Sequence, residues 1–240
     1  MDKENGEWII RGIKENDPEC IKSADALIDF VNEVGFLPLF KNDIPGFSVE
    51  ERTVSRYWWS DNKERDPWLW RQEIAQSGKV AYGKFFDKKA GFVSLECFPH
   101  FANYRRDGYD FDALWDDGKA KHRSKMIMDL FMNGEELFSN QAKRLAGFGK
   151  DGEKNFEGVV TELQMQTYLV IRDFRCRINK AGFPYGWPVT VYTAPESIWG
   201  YEFVSSAYSF DPAESKERMI NHILKHFPHA TEKQVKDILG

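Results

Sequence analysis

Two spacings in this 240-residue chain could do chemistry. His222 and His226 stand four residues apart on a helical stretch, the spacing with which two imidazoles can grip one metal ion. No His-Glu-x-x-His string accompanies them and no third ligand is evident, so they read as solvated or helix-end histidines and no metal is expected. Arg175 and Arg177 alternate with Phe174, Cys176 and Ile178 along an extended run, which sets two guanidinium groups on one strand face, with Lys180 at the turn beyond. Such a face suits phosphate contacts or entry into a DNA minor groove. The rival reading is a plain solvated strand. Lys143, Arg144, Lys150 and Lys154 surround the helices that come before it. Trp58, Trp59, Tyr82 and Phe85 are rings that could stack on an extruded base. Core packing is the preferred reading for them, with Trp58 and Trp59 the exceptions, because adjacent rings cannot both face one core. No Gly-x-Ser-x-Gly, Gly-x-Gly-x-x-Gly or P-loop string is present, so no cofactor is expected.

Composition narrows the classes further. Apolar residues make up 42% and charged residues 30%, with a mean hydropathy of −0.56. That is enough for a buried core in one large or two modest domains. There are 33 basic and 38 acidic residues, a formal charge of −5, which argues against a polyanion-coating protein. The charge is unevenly spread. From Lys119 to Ala194 there are 12 basic and 8 acidic residues, a net +4, and elsewhere 21 and 30, a net −9. Aromatic residues reach 15% and read mainly as core. Cys20, Cys97 and Cys176 form no Cys-x-x-Cys pair and read as reduced thiols. With no signal-like or membrane-spanning run, a cytoplasmic protein is expected.

Periodicity supplies the elements that must position these groups. Leu27, Ile28, Val31 and Val34 predict a helix over 19–35, with Ser23 as N-cap and Gly35 as C-cap. Ser48–Glu51 has the form of a capping box opening a short helix, and a further helix begins at Pro67. Residues 79–95 read as a β-hairpin. The acidic stretch Asp107–Gly118 reads as a boundary between halves. Next come helices over Lys119–Phe131, from a cap at Ser139 to Gly147, and from a cap at Asn155 through Leu163. A strand over 168–178, a turn and a strand over 187–193 complete the order of a winged helix. Glu157 and Glu162 lie on its third helix, where they would repel phosphates, so the wing and the first half carry the expected contacts. Two short helices, 212–227 and 231–239, end the chain, the second opened by the capping box Thr231–Gln234.

The helix bearing Asp29, Val31 and Asn32, followed by Phe36-Leu37-Pro38-Leu39-Phe40, resembles a segment of the AlkZ/YcaQ DNA glycosylases. Those are tandem winged-helix enzymes that release alkylated bases and unhook interstrand crosslinks. The hairpin from Ala81-Tyr82-Gly83-Lys84 to Leu95 falls where that family carries a hairpin used at the DNA. Phe156–Leu163, Gln164-Met165-Gln166-Thr167-Tyr168, Tyr185-Gly186-Trp187 and Thr193-Ala194-Pro195-Glu196 resemble more closely a sister group, the AlkZ-related proteins. The resemblance covers most of residues 20–200. It also contains a departure: with Leu37–Phe40 in register, Ala24 and Ala26 stand where the glycosylases carry a catalytic Gln-x-Gln or Gln-x-Asp. Asp25, Asp29 and Glu33 are the carboxylates on that helix that could take the role after a shift of register. Gln164 and Gln166 lie in the other half and read as helix-edge hydrogen bonders.

The expectation is therefore an α+β chain of tandem winged-helix domains: an N-terminal segment 1–20, a first half 21–115, a second winged helix 116–200 with its wing at 168–193, and a helical segment 201–240. The expected partner is double-stranded DNA, with no membrane association. Its DNA-binding residues are Lys143, Arg144, Lys150, Arg175, Arg177 and Lys180, its base-stacking rings Trp58, Trp59 and Tyr82. Any catalysis would be metal-free hydrolysis of an N-glycosidic bond. The alternatives are a non-catalytic regulator or lesion sensor, and a protein- or ligand-binding module without DNA contact.

Overall fold

In a computed structural model, which describes residues 2–4 and 7–240 with side chains from residue 9 onward, the chain is α+β, built of helices and small antiparallel sheets. Strands β1 (Asp2–Glu4) and β2 (Glu7–Ile9) pair with each other, and helix α1 (Ala24–Val34) follows. The helix starts later than periodicity alone implies because the Ser23 side chain accepts from the Ala26 N–H at 3.2 Å and caps it there. Gly35 ends it with φ +80, a conformation that favours glycine. Leu27 and Val31 are fully buried, and each such side chain contributes about 1.5–3 kcal/mol.

Two compact units divide the chain, residues Met1–Phe98 with Lys216–Gly240 and residues Pro99–Ser215. These limits differ from the 115/116 and 200/201 expected from sequence. The acidic stretch expected as a boundary contains helix α4 (Phe111–Asp116), whose Phe111 is buried, and the last 25 residues return to the first unit.

In the first unit, β3 (Phe36–Pro38) runs antiparallel to β5 (Lys89–Ser94), which pairs with β4 (Val80–Phe86), giving the order β3-β5-β4. A 3-10 turn at Glu50–Arg52 and α2 (Pro67–Ser77) lie between β3 and β4. Ser48 Oγ accepts from the Glu51 N–H at 3.2 Å and donates to Glu51 Oε2 at 2.7 Å, so the expected capping box is met in one of its two bonds and precedes a 3-10 turn. Asp66 caps α2 by accepting from the Trp68 N–H at 2.9 Å. The closing helices α10 (Pro212–His226) and α11 (Glu232–Leu239) belong here from Lys216 onward. Phe227 meets Phe47 edge to face at 4.7 Å, and Gln234 Nε2 donates to the Asp43 carbonyl at 2.7 Å.

The second unit holds most of α3 (Phe98–Arg106), then α4, α5 (His122–Met128), β6 (Leu137–Phe138), α6 (Ser139–Leu145), α7 (Phe156–Met165), β7 (Val170–Ile178), β8 (Pro184–Thr193), α8 (Pro195–Trp199) and α9 (Tyr201–Val204). Its sheet has the order β6-β8-β7. Ser139 is the first residue of α6 rather than its cap, since Phe138 precedes it in extended geometry as part of β6. Ile127, Phe156, Leu163 and Leu169 fill the core. Gln164 is buried there and back-bonds to the Val160 carbonyl. No helix among the described residues is long and apolar enough to cross a membrane.

Candidate nucleic-acid interface

The β7–β8 hairpin starts in the core and ends in solvent. Ile171, Val191 and Tyr192 at its base are buried, whereas residues 177–188 are all exposed. The turn is tied by Asn179, whose Oδ1 accepts from the N–H groups of Ala181 and Phe183 at 2.9 and 3.0 Å. Gly182 supplies the left-handed residue, with φ +85.

Nearer the base the ladder slips. Arg175 faces Val189 but Arg177 faces Tyr185, so Cys176 alone opposes Gly186-Trp187-Pro188. Gly186 adopts φ +73 and Pro188 has no N–H to give to the ladder, which together form a bulge. At its centre Trp187 is 89% exposed. Phe183 is 67% exposed, Ile178 61% and Tyr185 45%. The outer hairpin is exposed on both faces. Large exposed apolar clusters mark interaction surfaces in soluble proteins.

Charge on the hairpin is divided into two parts. Arg175 is held at the base: its Nη2 lies 2.6 Å from Glu136 Oε2, its Nε pairs with Asp173, and Glu136 also takes Arg172 Nε at 3.1 Å. Burial works against the Arg175 charge, but the hydrogen bonds to Glu136 and Asp173 outweigh it and raise its pKa. Arg177 and Lys180 make no ion pair with any described residue, and the Arg177 guanidinium lies 5.0 Å from the centre of the Tyr185 ring. Two unneutralised cations and three rings therefore share the outer hairpin. Cations that meet phosphates together with rings that stack or wedge are what nucleic-acid surfaces are made of.

The remaining sequence candidates scatter. Lys143 and Arg144 are exposed on α6, which packs against β8, and Lys150 is exposed in the loop that follows. On α7, Glu157 is exposed, whereas Glu162 pairs with Lys121, which offsets its charge. Trp58 is corrected as a stacking ring: it is buried against Phe40 and its Nε1 donates to Thr53 Oγ1 at 2.9 Å. Tyr82 is likewise buried, paired with Phe92 and hydrogen-bonded to Arg71. Of the three, only Trp59 stays exposed, at 47%, between the rings of Trp58 and Trp68.

Asp25, Asp29 and Glu33 stand on the solvent side of α1, opposite its buried stripe, and Asp25 lies 3.6 Å from Lys79 Nζ. Ala24 is buried and Ala26 exposed. His222 and His226 place their rings 4.9 Å apart, and no group of three potential ligands that could hold a metal occurs among the described residues. Cys20, Cys97 and Cys176 carry free thiols.

Phe183, Tyr185 and Trp187 are the residues that sequence reasoning passed over for this role. Their signal was present in Pro184-Tyr185-Gly186-Trp187-Pro188, where glycine and proline inside a strand mark a bulge. The profile of a family described as AlkZ related matches residues 21–240. No curated protein and no solved structure matches the chain.

Proposed function

Because the chain belongs to the AlkZ-related family, we propose that it binds double-stranded DNA through the β7–β8 hairpin. The observation that carries this reading is the sharing of one exposed hairpin by Arg177, Lys180 and Trp187. In this reading the second unit is a winged helix, with α5, α6 and α7 as its helices and β7–β8 as its wing; β8 lies between β6 and β7. The first unit repeats the order with α1, β3, the 3-10 turn, α2 and the β4–β5 hairpin, and β5 lies between β3 and β4. This repeated order supports the reading of the two units as tandem winged helices. The wing enters the minor groove, where its cations meet phosphates and Trp187 or Phe183 acts as an apolar wedge at a base step. Lys143, Arg144 and Lys150 add sequence-independent phosphate contacts. The three free thiols suit a reducing, cytoplasmic setting.

Binding, rather than base excision, is the function this geometry favours. Cleaving an N-glycosidic bond calls for a polar side chain, an amide or a carboxylate, aimed at the charge that develops on the sugar or at the attacking water. Asp25, Asp29 and Glu33 are open to solvent, and Ala24 and Ala26 offer no polar atom in their side chains. A labelled duplex titrated at low and at physiological salt tests the proposal. Retention at low salt that weakens steeply with added salt is expected; no retention at low salt contradicts it. Incubation with alkylated and crosslinked duplex tests the exclusion of excision, and release of a base would overturn that part alone.

A further inference from the structure

The second unit also holds a half-open pocket of about 510 Å³, within the size range of sites for small organic ligands. Its lining includes the buried side chains of Phe111, Met128, Phe131 and Tyr168. Such a surface takes a flat apolar body, and the polar groups around it decide the sign of charge that body can carry.

Arg106 is the one cationic residue of the lining, and its charge is already spent. The side chain is buried. Its Nη1 donates to Glu196 Oε1 at 2.5 Å and to the Tyr208 hydroxyl at 3.0 Å, while Nε and Nη2 donate to the Thr167 hydroxyl and carbonyl at 3.1 and 2.8 Å. An anionic ligand would have to displace Glu196 from its ion pair with the buried Arg106. Asp110 and Asp112 differ: both line the cavity and neither makes an ion pair with a described residue. Asp110 Oδ2 accepts from the Tyr201 hydroxyl at 2.7 Å, which fixes the carboxylate at the cavity wall. The lining thus carries three carboxylates against one guanidinium that is already paired.

We propose that this cavity is a binding site for a small organic cation, with a planar apolar body on the Phe111, Phe131 and Tyr168 surface and an N–H-bearing head at Asp110. This site is separate from the hairpin and does not depend on duplex binding.

Benzamidine is the probe, and benzoate, of the same shape and opposite charge, is its control. Met128 and Met132 both line the cavity, so the full chain labelled with ¹³C in its methionine methyl groups reports occupancy where it matters. Benzamidine is expected to shift both methyl signals saturably, with benzoate leaving them in place. Asp110→Asn is expected to weaken benzamidine about tenfold, the effect of removing a charged hydrogen-bond acceptor. Equal effects of the two probes, no effect of benzamidine, or shifts confined to other methionines would overturn the proposal. So would an unchanged affinity in Asp110→Asn. The comparison of benzamidine with benzoate needs no variant, so it decides the sign of the site even if Asp110→Asn does not fold.

Discussion

Arg177 and Tyr185 face each other across the β7–β8 ladder, the guanidinium 5.0 Å from the ring centre, immediately outside the bulge that exposes Trp187. The contact orients a cation that pairs with no carboxylate among the described residues. Two residues away Arg175 is tied to Glu136 and Asp173. Neighbouring arginines on one strand are therefore placed differently: Arg175 is paired at the base of the hairpin and Arg177 is exposed beyond it.

Trp187→Ala separates binding from folding. A side chain that is 89% exposed supports little of the fold, so stability should change by no more than about 0.5 kcal/mol in urea denaturation. Duplex affinity should fall by about 1 kcal/mol or more if the ring stacks or wedges at a base. Lost stability with unchanged affinity would place the ring in a structural role.

Arg106→Ala should be far more damaging. Removing it leaves Glu196 without its buried partner and Thr167 and Tyr208 without their donor, a loss of about 3–5 kcal/mol in the second unit. Glu196→Gln should cost less, because Arg106 keeps its bonds to Thr167 and Tyr208. Urea unfolding of the two variants gives the order. Burial pushes the Tyr208 phenol up to about 12, and Arg106 opposes the rise, so this network carries no titrating phenol near neutral pH.

The first unit should lose stability in mild acid through His222. Its Nε2 is buried without a partner, and burial, then the nearby His226 and Lys225, hold its pKa below the ordinary 6.5. Between 6.5 and that lower value the unfolded chain binds the proton more readily, so stability falls as pH drops through this window and levels off beneath it. Thermal unfolding from pH 8 to 5 should show a wild-type decline that is shallower in His222→Gln. Parallel curves would assign the decline to other groups.

How much of this was legible in the sequence depended on how local the cause was. The 3.6-residue stripe of Leu27, Ile28, Val31 and Val34, the caps at Ser23 and Gly35, and the Thr231–Gln234 box all act within a few residues, and all are visible in the string. Phe98–Arg106 has a proline at its second position and two arginines at its end, so its helix shows no clear apolar period. Strand β6 is two residues long and exists through its pairing with β8. The candidate site divides in the same way. Exposure of Arg177 and Lys180 agrees with their spacing, but the neutralisation of Arg175 needs Glu136, which is distant in the chain. The burial of Trp58 depends on Phe40 and Thr53, brought to it by the fold.

The slope of duplex affinity against salt tests the central claim most directly, measured by anisotropy of a labelled duplex. Each phosphate contact contributes roughly 0.9 to that slope, so replacing Arg177 and Lys180 together by alanine should reduce it by roughly 2. Arg175→Ala should reduce it by clearly less than one contact, since its charge is already matched by Glu136 and Asp173. A double variant with the wild-type slope, or a larger loss from Arg175 than from the pair, would contradict DNA binding by the outer hairpin.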